Sequence, residues 1–166
     1  MNIKYTLSFP EPHTHYAEVE MYISNISVDV IYLKMAVWTP GSYLIREFQK
    51  NIDFVEWSVA NGQWSRVEKT DKNTWKIDLS NGALNASTNN NTNTHNVSIR
   101  YRTYCFEQSV RTNFVDEQHA LINGAATFLY VDGFENTSSE IDIIPFEKWN
   151  NISTSLIQKE NNKWIR

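Results

Sequence analysis

Ala17-Glu18-Val19-Glu20-Met21-Tyr22-Ile23-Ser24 is the stretch whose spacing decides the fold class. In an extended chain Ala17, Val19, Met21 and Ile23 fall on one side, and Glu18, Glu20 and Ser24 on the other. Successive strand side chains point to opposite faces, so the stretch has one dry and one wet face. Antiparallel sheets with one solvated side produce such alternation. Outward from it the pattern recurs in Ile31, Leu33, Met35 and Val37, in Val55, Trp57 and Val59, and in Trp75, Ile77 and Leu79. Val97, Ile99, Tyr101 and Thr103 alternate with Ser98, Arg100 and Arg102, and residues 127–131 and 141–144 read as two further short strands. Asn61-Gly62, between Val59 and Trp64, is a hairpin turn signal, and Asn81-Gly82, Asn123-Gly124 and Asp132-Gly133 mark other reversals. Helix is confined to residues 42–50, where Leu44 and Phe48 stand four apart, and to a turn over residues 113–118. The expectation is an all-β fold, an antiparallel two-sheet β-sandwich with one or two short helical turns.

A chain of 166 residues is long enough to bury a core without covalent staples, and residues 1–166 read as a single domain. Its 41% hydrophobic, 13% aromatic and 20% charged residues describe a globular protein. A net charge of −4 with scattered basic residues leaves no phosphate-tracking surface, so no nucleic-acid partner is expected. No apolar run reaches spanning length and no signal-peptide core follows Met1, so the expectation is no membrane partner and a cytoplasmic location. Residues 83–96 are almost wholly polar and read as a mobile Asn/Thr-rich surface loop inside the domain. Of six tryptophans, Trp57 and Trp75 lie on apolar strand faces and are expected in the core. Trp38, Trp64, Trp149 and Trp164 lie at strand ends or near the C-terminus, where they can equally face a partner.

Chemistry-bearing residues are sparse. Cys105, the single cysteine, excludes an internal disulfide; in its aromatic strand-like surroundings it reads as core, with a nucleophile the lesser alternative. His13 and His15 share one face of an extended segment, which suits two-point metal ligation, but a third ligand is not evident; the plainer reading is partly buried histidines at a sheet edge. Asp116, Glu117 and His119 carry acid-base groups without a nucleophile or metal set to complete a mechanism. A solvated loop is the favoured reading of this segment. His-Glu-x-x-His, Gly-x-Ser-x-Gly and Gly-rich phosphate loops do not occur.

The densest polar stretch is Trp38-Thr39-Pro40-Gly41-Ser42-Tyr43, followed by Arg46, Glu47, Phe48 and Asn51. It ends a strand-like run from Val30 to Trp38. Pro at the second and Gly at the third position of Thr39-Pro40-Gly41-Ser42 specify a type II turn.

With Leu44 and Ile45 included, this stretch closely resembles the N-terminal domain of the glycyl aminopeptidase family of zinc metallopeptidases. Tyr5, Pro10 and His13 are similar to that family's opening strand. Tyr101, Tyr104, Ser109-Val110-Arg111, Asp116 and Asn123-Gly124 resemble its second signature, and Trp149, Thr154 and Leu156 its closing one. The resemblance implies a β-rich N-terminal domain, with a thermolysin-like catalytic domain and a PDZ domain in the parent enzyme. It implies that zinc and the catalytic glutamate belong to that catalytic domain. No cofactor, metal ligand or catalytic residue is then expected in this chain, and no peptidase activity from it alone. Its expected partners are its own catalytic domain and a peptide substrate.

By analogy with related zinc aminopeptidases, Trp38, Pro40, Gly41, Ser42, Tyr43, Arg46, Glu47, Asn51, Ser109 and Arg111 are expected at the face towards the catalytic domain. Asp116, Glu117 and Asn123 are expected near the substrate's free amino group, which a carboxylate would hold by charge-assisted hydrogen bonding. The rival is a stand-alone β-sandwich module that binds carbohydrate or peptide through exposed aromatics. A continuous aromatic strip on the solvated face would favour that rival, and aromatics gathered beside Pro40-Gly41 a domain interface. A third reading, a self-contained metalloenzyme, would need His13 and His15 to find a partner.

Overall fold

The computed structural model describes residues 1–59, 62–80 and 94–165. The strands are β1 (Asn2–Ser8), β2 (Tyr16–Ile26), β3 (Val30–Lys34), β4 (Ile52–Val59), β5 (Ser65–Arg66), β6 (Glu68–Asp71) and β7 (Thr74–Asp78). Beyond them follow β8 (His95–Tyr104), β9 (Phe114–Val115), β10 (Ala120–Leu121), β11 (Tyr130–Val131), β12 (Ser139–Ile144), β13 (Ile157–Glu160) and β14 (Lys163–Ile165). Helix among the described residues is limited to 3-10 turns at Pro12–Thr14, Phe48–Asn51 and Gly124–Ala126. None of these is long and apolar enough to cross a membrane.

The alternating stretch that opened the sequence forms the heart of an eight-stranded sheet ordered β13-β14-β12-β1-β2-β8-β4-β5. Val19, Met21 and Ile23 of β2 stand beside Tyr101, Ile99 and Val97 of β8, and all are buried. A four-stranded sheet, β11-β3-β7-β6, supplies Ile31, Leu33, Trp75 and Ile77 to the same core. Tyr5 and Tyr101 reach from the large sheet to an irregular segment. The Tyr5 hydroxyl donates to Leu129 O at 2.8 Å; that of Tyr101 donates to Thr127 O at 3.0 Å and accepts from Leu129 N at 3.0 Å. Burial raises the Tyr101 pKa well above the ordinary value, so the phenol stays a neutral donor.

The all-β expectation holds, with three differences. β1 pairs in parallel with β12, Tyr5 opposite Ile141, so the large sheet is mixed. A separate two-stranded ribbon, β9 with β10, falls outside a plain two-sheet arrangement. The helix expected over residues 42–50 is replaced by irregular backbone and the 3-10 turn at Phe48–Asn51. There Ser42 Oγ bonds both N–H and C=O of Leu44, and Arg46 N–H is taken by Val37 O, so the groups a helix would need are already engaged. Residues 113–118 likewise form no helical turn, because Phe114 and Val115 pair with Leu121 and Ala120.

Smaller corrections follow the same logic. The run from Val30 stops pairing at Lys34, and β11 keeps only Tyr130 and Val131 of the strand expected over residues 127–131. The reversal at Asn61-Gly62 is present in that β4 and β5 pair antiparallel, although Asn61 itself lies outside the described residues. Asn81-Gly82 and most of the loop expected over residues 83–96 also lie outside them; His95 and Asn96 already belong to β8. Trp75 is core, Trp57 only half-buried against it, and Trp164 is buried. Cys105 is buried, its thiol donates to Thr103 O at 3.2 Å, and burial pushes its pKa up to about 11. It packs as a small apolar group and is no nucleophile at neutral pH.

Candidate functional site

The segment after β3 is built on the expected turn. Gly41 has φ +80°, and Ser42 N–H donates to Thr39 O at 3.0 Å, as a type II turn requires. Trp38, Ser42 and Arg46 then form one hydrogen-bonded unit. The Trp38 indole N–H donates to Ser42 O at 2.8 Å, and Arg46 Nε donates to Ser42 Oγ at 3.3 Å. Pro40 is exposed, and Tyr43, Leu44 and Ile45 project beyond the unit into solvent. Glu47 precedes the 3-10 turn and pairs with Lys72 at 3.4 Å; Asn51, half-buried, closes the turn. Gln49 Oε1 within that turn is buried without a hydrogen-bond donor.

The second segment is a set of tight local reversals. Ser109 Oγ lies 2.7 Å from Thr112 Oγ1 and accepts from Arg111 N–H at 3.2 Å, which turns the chain and leaves Val110 exposed. Asp116 spends its carboxylate on its own turn, accepting from Gln118 N–H and His119 N–H at 2.8 Å each. The His119 amide, helped by Gln118 and the His119 ring, holds the Asp116 carboxyl below its ordinary pKa. Glu117 is exposed, and its carboxylate makes no hydrogen bond or ion pair among the described residues. Asn123 caps the 3-10 turn at Gly124–Ala126, its Oδ1 accepting from Ala125 N–H at 3.1 Å. Its Nδ2 donates to Val110 O at 3.4 Å, so both ends of the side chain are engaged within the segment.

Sequence reasoning missed the residue that holds this segment. Asn113 is buried; its Nδ2 donates to Ala126 O at 3.2 Å and to Thr127 Oγ1 at 2.9 Å, and its Oδ1 accepts from Asn123 N–H at 2.8 Å. Nothing in its neighbours marked it, because its partners come from ten or more residues away. A ring stack was also missed. His15 lies 3.9 Å from Phe106, Phe106 5.6 Å from Phe114, and Phe114 5.1 Å from His119, between ring centroids. His15 Nδ1 is bound to Val115 O at 2.7 Å, while His13 is exposed. No three His, Cys, Asp or Glu side chains gather in a metal-binding group among the described residues.

The three sequence signatures meet at one end of the domain. The turn at Phe48–Asn51 packs against the turn at Gly124–Ala126, joining the first to the second. The Trp149 indole N–H donates to Glu117 O at 3.1 Å, joining the third to the second. A groove of about 960 Å³ lies beside the second and third, lined among others by Leu121, Ala125, Phe128, Trp149 and Leu156, and Ala36, just ahead of the first, also lines it. The structure does not bring Arg46 or Glu47 into a hydrogen bond or ion pair with Arg111, Asp116 or Glu117 among the described residues. Those groups share a region without forming a catalytic constellation.

The opposite, solvated side of the large sheet is closed on itself. Arg100 pairs with Glu56 at 2.9 Å and lies 4.3 Å over Trp64; Arg102 Nε bonds Asp53 at 2.7 Å, and its guanidinium lies 4.3 Å over Tyr16 and 5.6 Å over Phe54. Guanidinium groups cap Trp64, Tyr16 and Phe54 there, while Tyr22 and Tyr104 on the same face stay 45% and 40% exposed.

The chain matches the family model described as Peptidase M61 N-terminal domain over residues 4–165. Among solved structures, an aminopeptidase N family protein from Idiomarina loihiensis superposes with a TM-score of 0.84 at 24% identity, over 99% of this chain and 27% of that one. At that identity the likeness is one of fold. An M1 zinc metallopeptidase from Deinococcus radiodurans, solved bound to a Tyr-Ser-Ala substrate, aligns at a TM-score of 0.42 and 10% identity, over 99% of this chain and 37% of that one. The chain thus spans about a quarter to a third of the length of these proteins. No curated protein matches the sequence.

Proposed function

Since the chain belongs to the Peptidase M61 N-terminal domain family, we propose that it serves as the non-catalytic N-terminal β-domain of a glycyl-aminopeptidase-like zinc peptidase. It packs on that enzyme's catalytic domain and shapes the approach of the peptide substrate. Zinc and the peptide-cleaving groups belong to the catalytic domain, and the residues here bind and orient. The observation that carries this reading is the joining of the three signature segments, by the packed 3-10 turns and the Trp149–Glu117 bond, next to a groove that the second and third of them line. Side chains that only stabilised a lone sandwich would have no reason to gather at one end. The exposed aromatics Trp38 and Tyr43 beside Pro40-Gly41 support an interface at this end.

Within this reading Glu117 is the group for the substrate's ammonium. Asp116 already commits its Oδ1 to two amide N–H donors of its own turn, whereas the Glu117 carboxylate has no partner among the described residues and its backbone is pinned by Trp149. A charge-assisted hydrogen bond is worth about 1.5–3 kcal/mol, or roughly a tenfold to hundredfold preference. In the full-length enzyme Glu117→Ala is expected to lower kcat/KM for peptides with free N-termini by about that factor and to leave N-blocked peptides unchanged. Asp116→Ala is expected to act more weakly, through the turn. Equal discrimination in wild type and both variants would overturn the assignment.

A further inference from the structure

The loop of residues 37–46 surrounds an exposed apolar tip with hydrogen bonds of its own. Tyr43 is fully exposed, Leu44 63% and Ile45 77% exposed, an uninterrupted apolar run with nothing of its own fold to cover it. Such a run is ordinarily left floppy or made polar. Here its base is locked. Arg46 N–H closes the loop on Val37 O at 2.6 Å, and inside it Ser42 Oγ donates to Leu44 O at 2.8 Å and accepts from Leu44 N–H at 3.3 Å. The Trp38 indole and the Gly41 turn complete the frame. Ordering an apolar tip costs conformational entropy with no return in the isolated domain; the return comes on binding, when a preformed tip loses less freedom.

We propose that Tyr43-Leu44-Ile45 is a preformed plug that inserts into an apolar socket on the catalytic part of the same peptidase and is the main anchor of domain pairing. This rests on the reading above, that a catalytic domain packs on this one. Position argues for that occupant. Ala36, just before the loop, lines the groove, and the turn at Phe48–Asn51, just after it, packs on the turn whose Gly124 and Ala125 also line it, so the plug stands at the rim of the proposed interface. Chain length agrees, because the fold covers only 27% of the Idiomarina loihiensis protein and leaves most of such a polypeptide to supply a socket. A lipid surface is a poorer occupant, since the chain carries a net charge of −4 and anionic headgroups would repel it.

The test uses this chain and the catalytic part of its peptidase, joined in one polypeptide and also produced as two. One variant replaces the tip (Tyr43→Ser, Leu44→Ser, Ile45→Ser), which the exposed positions should tolerate without loss of fold. A second, Ser42→Ala, keeps every tip atom and removes the Ser42 Oγ bonds to Leu44 and Arg46, leaving the Arg46–Val37 closure and the Trp38 indole bond in place. A third, Leu121→Ser, alters the groove wall. The expected result is association of the two parts about a hundredfold weaker for the tip variant and about tenfold weaker for Ser42→Ala, with unchanged urea midpoints for this chain alone. Cleavage at residues 43–46 by chymotrypsin should be suppressed in the joined wild-type polypeptide. Unchanged association in the tip variant with a loss in Leu121→Ser would overturn the plug and leave the packing reading intact. No association of the wild-type parts, with the tip as cleavable in the joined polypeptide as in this chain alone, would overturn both. A tip variant that loses only self-association, or only binding to vesicles of anionic phospholipid, would assign the tip to a second copy or a membrane and overturn the proposal.

Discussion

The solvated face of β2, β8 and β4 and the end that carries residues 37–51 and 106–125 draw on the same residue types and treat them oppositely. On the sheet face each arginine is spent twice, on a carboxylate of β4 and on a ring, so charge and aromatic surface cancel within the domain. At the motif end the polar groups point inward to hold backbone, as Ser42, Asn113 and Asp116 do, while Tyr43, Leu44, Ile45 and Val110 are pushed outward without partners. One surface pairs its charges within the domain; the other turns its polar groups to its own backbone and leaves an apolar tip exposed. A dense motif signals function here through the direction of its apolar side chains more than through any reactive group.

Three experiments probe that contrast. The largest effect is expected at the motif end, where Asn113→Ala orphans Asn123 N–H and Ala126 O in a buried site. It should cost about 2–3 kcal/mol, read as a lower urea midpoint at unchanged slope. A cost near zero would mean that the end is not held by its polar interior. A smaller, pH-dependent effect is expected at Asp116, whose folded carboxyl lies below its ordinary pKa because amide N–H groups favour the anion. Its stabilisation is therefore present above the ordinary carboxylate pKa and fades as pH falls through the lower folded value. Asp116→Asn should be less stable than wild type at pH 7, and the two curves should converge under acid conditions; a constant gap would show that the charge is irrelevant. The smallest effect belongs to the sheet face. A double-mutant cycle on Arg102 and Asp53, both substantially exposed, should give a coupling below about 1 kcal/mol that shrinks in salt. A larger, salt-insensitive coupling would mean that this face is not the solvated surface described.

What the sequence revealed depended on strand length and burial. β2 and β8 are long and dry on one side, so their alternation was legible residue by residue. β6 and β13 are exposed at every position and carry no alternation to read. β1 buries Ile3, Tyr5 and Leu7 in a pattern that is the same for either partner direction, so its parallel pairing with β12, more than a hundred residues away, left no local trace. The four-residue spacing of Leu44 and Phe48 suggested helix, yet Leu44 is exposed and only Phe48 is core; one side-chain hydroxyl outweighed the spacing. The turn at Thr39 to Ser42 was fully specified by Pro40 and Gly41. The signature segments themselves were legible, but not that three of their residues, Ser42, Asn123 and Asp116, hydrogen-bond the backbone of their own segments. Trp164, which looked free to meet a partner, is buried opposite Ile141 in the mixed sheet.

Backbone hydrogen exchange of this chain, alone and in the presence of the catalytic part of its peptidase, tests most directly whether the motif end is the docking face. Protection should rise at residues 43–46 and 117–121 and stay unchanged along the solvated face formed by Glu56, Arg100 and Arg102. Protection of that face, or of neither region, would contradict the docking of this domain through its signature end.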